Sequence, residues 1–293
     1  LLEVYLFSLT GAPGLIENKA IFHTLGCRGC HKISGVGGND GPDLTNIGLR
    51  DPGQTPFSNI YGPKTLENWF KEHFEAPSRV VKGSQMPELG LTEDQINSLT
   101  FYLFSLRGVN LPVKKWPKDR AAVKIFKDRE FNTDGKTIYG TFCAACHGAK
   151  GEGMRYPQTT SFPAIGNKDF LSIATDDFLI NTILHGREGR RMPAWGDIEG
   201  GLNNVEIKAV VAYLRTLGGE YLETELNPSR WIKGDEVEGK NLFEMNCSSC
   251  HGKNGEGGEA PSLNSKIFLT STSDIFLFKT IKAGRRGTTI EGF

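Results

Sequence analysis

Apolar positions recur along this chain at helical spacing in three separate places. Ile21, Phe22 and Leu25 form the first stripe, Ile138, Tyr139 and Phe142 the second, and Leu242, Phe243 and Met245 the third. Each stripe predicts a short helix. Thr133 and the Asp and Glu residues near each start supply N-terminal signals. Two later stretches, LTEDQINSLTFYLFSLRG and NNVEIKAVVAYLRTLGG, predict longer helices. Thr92-Glu93-Asp94 reads as a capping-type start, and Gly108 and Gly219 as stops. Both stretches end Tyr-Leu-x-x-Leu-x-Gly, and so does Tyr5 to Gly11. The pattern is that of a mostly α protein.

Composition adds bounds. The 293 residues are 38% hydrophobic, enough for a real core, and length alone suggests about two domains. Lys plus Arg is 34 and Asp plus Glu is 34, with no block of either sign, which argues against a nucleic-acid surface. No apolar run approaches the roughly 18 residues needed to span a bilayer. The first residue is Leu, and no leader pattern follows it, so a signal peptide has been removed or the chain is part of a longer one.

The cysteines change the domain count. Cys27, Cys30, Cys143, Cys146, Cys247 and Cys250 form three CxxC pairs, each followed at once by His: His31, His147 and His251. A redox dithiol needs one such pair and a four-cysteine zinc site needs two, and neither needs the His. C-type haem attachment needs all three residues: two thiols for thioether bonds to the porphyrin and an imidazole for iron. The motifs recur at roughly 100–120 residues, a domain-sized period, so three small domains replace the two of the length rule. Each has a limited core, to which a buried haem would add much.

The helix running into CxxCH, the later Met-Pro and the closing helix together resemble class I c-type cytochromes, the mitochondrial cytochrome c type, over nearly the whole chain. The resemblance implies three tandem domains, each wrapped around one covalent haem c with long Gly-rich loops: residues 12–112, 113–228 and 229–293. Residues 1–11 would be the closing helix of a missing upstream domain, and the third domain would lack its own closing helix. The chain is then a window of a longer polyhaem protein; the bolder alternative is that residues 1–11 of one molecule complete the third repeat of another.

The same resemblance assigns His31, His147 and His251 as proximal iron ligands, and Pro42, Pro163 and Pro261 as the residues whose carbonyls hold the other imidazole nitrogen. Met86 and Met192 each precede Pro, downstream of their haem motif and before the last helix, where the family places its second axial ligand. Met154 and Met245 are expected to be packing residues. His23 and His185 stay unassigned, and His73 is the rival to Met86.

Residues 162–195 and 260–293 align without a gap, 98 positions apart. In that register Gly186 meets Gly284, Met192 meets Ile290 and Trp195 meets Phe293. The distal position of the third haem therefore lacks Met, and Glu291 replaces the following Pro.

The leading reading is electron transfer: single electrons pass between redox partners through the haems. The chain is then a carrier or an electron-transfer subunit or segment of a larger respiratory assembly, outside the cytoplasm where such attachment occurs, and not itself an enzyme. Its partners would be a membrane oxidoreductase or other cytochromes. Zero net charge gives no support to long-range steering, which favours a docked subunit over a diffusing shuttle. A cytochrome subunit of an alcohol or sugar dehydrogenase is a related reading. The alternative from another class is an open third haem, at Ile290, that binds a small ligand or runs peroxide chemistry with Arg285 or Arg286 as oxyanion donor. The similar cluster of Arg187, Arg190 and Arg191 beside Met192 points those arginines instead to haem propionates or solvent.

Overall fold

The computed structural model describes residues 13–107, 129, 131–157, 161–187, 191–219, 234–286 and 288–293. Residues 1–11, Gly108 and Arg190, each given a role above, lie outside these. The helices of eight residues or more are α1 (Pro13–Thr24), α2 (Leu66–Glu75), α3 (Glu93–Ser105), α4 (Gly135–Phe142), α5 (Asp176–His185), α6 (Asn204–Gly218), α7 (Glu236–Asn246) and α8 (Asp274–Ala283). Strand structure among the described residues is a two-stranded hairpin, Lys32–Ile33 with Val36–Gly37. The protein is mostly α, as its apolar periodicity predicts.

Local chemistry accounts for the boundaries. Thr92 caps α3 with a full capping box: its hydroxyl accepts from the Gln95 N–H, and the Gln95 side chain accepts from the Thr92 N–H. Asn203 and Glu206 do the same for α6. Asp134 caps α4 and Asp235 caps α7. Gly219 closes α6 at φ 95°, a conformation that favours glycine. α3 stops at Ser105, before the expected glycine.

The chain divides into two compact units, one over residues up to 132 and one from 160 to 293, with 133–159 shared out between them. In the first unit α1 packs on α3, with the Phe22 and Tyr102 rings 5.1 Å apart. Phe22, Trp69, Phe70, Ile96 and Leu99 are buried in its core, and Met86 packs against them. This unit also buries a carboxylate. Glu72 on α2 accepts from the Tyr61 and Gly62 N–H groups, from Asn68 Nδ2 and from the Arg79 guanidinium at 2.8 Å. Burial alone would push its carboxyl up, but the bonds from Gly62, Arg79, Tyr61 and Asn68 outweigh it and hold the group at about 2.

In the second unit α5 packs on α6 and on the short helix Lys266–Ser271. α4 meets α6 closely: a Cβ added at Gly135 would strike the Ala209 carbonyl, and Tyr139 and Tyr213 lie 5.2 Å apart. Ile138 and Tyr139 are fully buried there. α7 carries the matching stripe, but Leu242 is 50% exposed and Met245 is 71% exposed. Met245 is thus not the packing residue expected from its position beside Cys247. Among the described residues nothing covers that face of the helix.

Candidate functional site

Each CxxCH motif forms the same single turn. The His31, His147 and His251 N–H groups donate to the carbonyls of Cys27, Cys143 and Cys247, at 3.0, 2.9 and 3.0 Å. One helical turn thus brings the first thiol and the imidazole to one side of the backbone. All six cysteines are half-buried and none is in a disulfide. Burial pushes the Cys27 and Cys143 thiols up to about 12 and raises Cys247 as well, so these thiols are neutral.

The imidazoles are held by a second contact that also recurs three times. Nδ1 of His31 lies 2.9 Å from the Pro42 carbonyl, His147 lies 2.9 Å from that of Pro163, and His251 lies 2.7 Å from that of Pro261. A carbonyl only accepts, so each Nδ1 carries the proton and each Nε2 keeps its lone pair for a metal. Burial lowers the pKa of His31 and His147, against the raising effect of those carbonyls, and keeps the rings neutral. Gly41 presses flat on the His31 ring, where any Cβ would collide with it. Gly148 and Gly252, directly after the other two histidines, turn the chain at φ 81° and 85°. Cysteines held out of disulfides, an Nε2 that keeps its lone pair and, at His31, a glycine seat against the imidazole fit a covalently attached haem.

The downstream loops match in backbone shape. The Arg187 N–H donates to the Met192 carbonyl at 2.8 Å, and the Arg285 N–H to the Ile290 carbonyl at 2.9 Å. Gly186 and Gly284 open these loops at φ 66° and 64°, and the Trp195 and Phe293 N–H groups close them onto Ile183 and Ile281. Ile290 therefore stands where Met192 stands. Both side chains are half-buried, as is that of Met86. Met154 pairs its backbone with Phe162 through a 2.7 Å hydrogen bond.

The remaining histidines separate by environment. His185 is exposed. His73 stacks on Trp69 at 4.9 Å, and burial above all, with the nearby Arg50 charge, holds it at about 4. His23 is held at about 4 by burial and by Arg28 and Lys19.

The arginines beside Ile290 both contact residues of the second repeat. The Arg285 guanidinium lies 4.9 Å from the Phe170 ring centre and 5.7 Å from that of Phe276. Arg286 grips Asp169 at 2.7 Å. Arg286 is thus engaged by a carboxylate and Arg285 lies against aromatic rings, and neither contact supports the peroxide reading. No motif announces the contacts to Phe170 and Asp169, because they join residues more than a hundred positions apart. The signal that was present is the repeat register, which places an Arg on the same loop of each copy.

Residues 17–107 and 236–289 match the family model described as cytochrome c, and residues 131–214 match that described as cytochrome c oxidase, cbb3-type, subunit III. Among curated proteins the chain is 37% identical over 164 residues to the cbb3-type cytochrome c oxidase subunit FixP of Bradyrhizobium diazoefficiens, which covers 52% of this chain and 51% of the relative. It is 35% identical over 165 residues to FixP of a further Bradyrhizobium strain, at the same coverages. It is 28% identical over 171 residues to subunit CcoP of an Azospirillum strain, with 52% and 53% covered. The chain spans about half the length of the curated relatives it matches. A thrice-repeated attachment turn, its imidazole geometry and matches along most of its length agree: this chain is a c-type cytochrome built of cytochrome c domains.

Proposed function

We propose that the chain is a three-haem electron-transfer segment of a respiratory oxidase assembly, placed on the periplasmic side of a membrane. The observation that carries this is the threefold recurrence of the CxxCH turn with its imidazole–proline bond. The domain bounds 12–112, 113–228 and 229–293 give each turn its own domain. The curated relatives are named as subunits of a cbb3-type oxidase, which supports a membrane oxidoreductase as partner over an alcohol or sugar dehydrogenase. No helix among the described residues is long and apolar enough to cross a membrane.

A bound haem supplies a one-electron couple. The chain's residues do the rest. Cys27 and Cys30, Cys143 and Cys146, and Cys247 and Cys250 would fix the ring, and His31, His147 and His251 would ligate its iron. Pro42, Pro163 and Pro261 hold each imidazole in one tautomer and one orientation. Met86 and Met192 would supply a thioether ligand in the first two domains, which would raise the potential relative to two imidazoles.

The test is intact mass together with an alkaline pyridine spectrum of the protein as isolated from a host that matures c-type cytochromes. The expected result is three covalent haems per chain. Two or fewer in fully matured protein overturns the proposal.

A further inference from the structure

The second and third haem segments meet through a reciprocal joint. Phe178 and Phe276, equivalent in the 98-residue register, face each other at 5.1 Å. Phe170 meets Phe276 at 6.1 Å, and the equivalent pair, Phe268 and Phe178, meets at 6.3 Å. The Arg187 guanidinium lies 4.8 Å from the ring centre of Phe268, and its counterpart Arg285 lies 4.9 Å from that of Phe170. Each arginine also covers the central Phe of its own segment, at 5.4 and 5.7 Å. Every contact thus has its mate with the two segments exchanged, the mark of an isologous interface, here within one chain.

Both arginines leave the very loops that carry Met192 and Ile290, and their N–H groups donate to the Met192 and Ile290 carbonyls. Arg285 Nε has no hydrogen-bond partner among the described residues. Burial lowers both guanidinium pKa values to about 10, Arg285 adds like-charge repulsion at Arg187, and the Asp169 carboxylate partly opposes the lowering at Arg285. They remain cationic at neutral pH. Two like charges are held in an aromatic joint at a cost, and a structural joint alone would be better served by apolar side chains. What a cation supplies here is a field. It favours the reduced iron, which carries one positive charge fewer, and at this joint it reaches both segments.

We propose that Arg187 and Arg285 are reciprocal positioning residues that lock the second and third haem segments into one two-haem unit and raise both iron potentials together. This rests on the reading that His147 and His251 each hold a haem. The experiment is potentiometric titration of the full holoprotein carrying Arg285→Gln, and separately Arg187→Gln, after haem content has been measured. The thioether-ligated haems are followed by their sulfur-to-iron absorption band, and an Arg285→Lys variant keeps the charge. Each Gln variant is expected to shift both the His147 and the His251 haem to lower potential, with Lys restoring most of the shift. A shift confined to the variant's own segment, or no shift at full haem content, overturns the proposal. If the Gln variants do not accumulate, Phe170→Leu removes the second-segment ring under Arg285. It is expected to shift the third-segment haem, and an unmoved third-segment potential overturns the proposal equally. Wild-type protein lacking haem on His147 or His251 would instead defeat the underlying reading.

Discussion

Gly135 and Gly239 hold the same place in two copies of one helix, eight residues before the first cysteine of their motifs. At Gly135 the backbone of α6 crosses so closely that no side chain fits, and the stripe beside it is fully buried. At Gly239 a Cβ would meet nothing within 4 Å, and the stripe beside it is largely exposed. The two sequences carry the same instruction for a helix and its apolar face. Whether that face becomes core depends on a second element, and burial is a property of the pair.

The largest effect that tests this comparison is on haem content. Replacing Cys143 and Cys146 together with Ala should remove one covalent haem from the chain and loosen the second segment, read from haem-to-protein ratio and mass. The same change at Cys247 and Cys250 should remove one haem with less loss of helix by circular dichroism, because less of that segment is packed.

The glycines themselves come next. Gly135→Ala should destabilise the protein by about 1–3 kcal/mol in chemical denaturation, because its Cβ has no room against a backbone carbonyl. Gly239→Ala should be neutral or stabilising by about 0.5–1 kcal/mol, since it adds helix propensity in open space. Equal effects would mean that α7 has a close partner after all.

Acid should separate the first unit from the second. The Glu72 carboxyl is held at about 2, against an ordinary 4.5, so the folded state binds its proton less readily than the unfolded chain does. Its stabilisation is complete above about pH 4.5 and is lost as pH falls from there through about 2. Glu72→Gln should flatten that part of the stability profile for the first unit. An unchanged acid transition would remove Glu72 as its source.

A subtler probe exchanges the one residue that distinguishes two loops of the same shape. Ile290→Met should add a sulfur-to-iron absorption band in the third segment, and Met192→Ile should remove one from the second. The smallest effect is expected at the rim, where Asp169→Asn should barely change stability. Arg286 is 86% exposed, and water screens its ion pair.

Much of the fold and of the attachment chemistry was legible in the chain alone. Haem attachment is written in five adjacent residues, so the three CxxCH turns need nothing distant to be recognised. Helical stripes, capping boxes and the glycine stop after α6 are likewise local, because a helix's hydrogen bonds and caps are made within a few residues of each other. The 98-residue register even located Ile290 opposite Met192, since equal spacing between equal glycines forces equal loops. What the chain could not show by itself were the pairings made at a distance. The shelter of Glu72 comes from residues 4 to 11 positions away whose partnership follows no period. The exposure of Met245 follows from what does not cover it among the described residues. The exchange of Arg187 and Arg285 between segments needed two repeats brought face to face. Local patterns specify elements and attachment turns. Which faces become core, and which charges share one joint, is decided only when the elements meet.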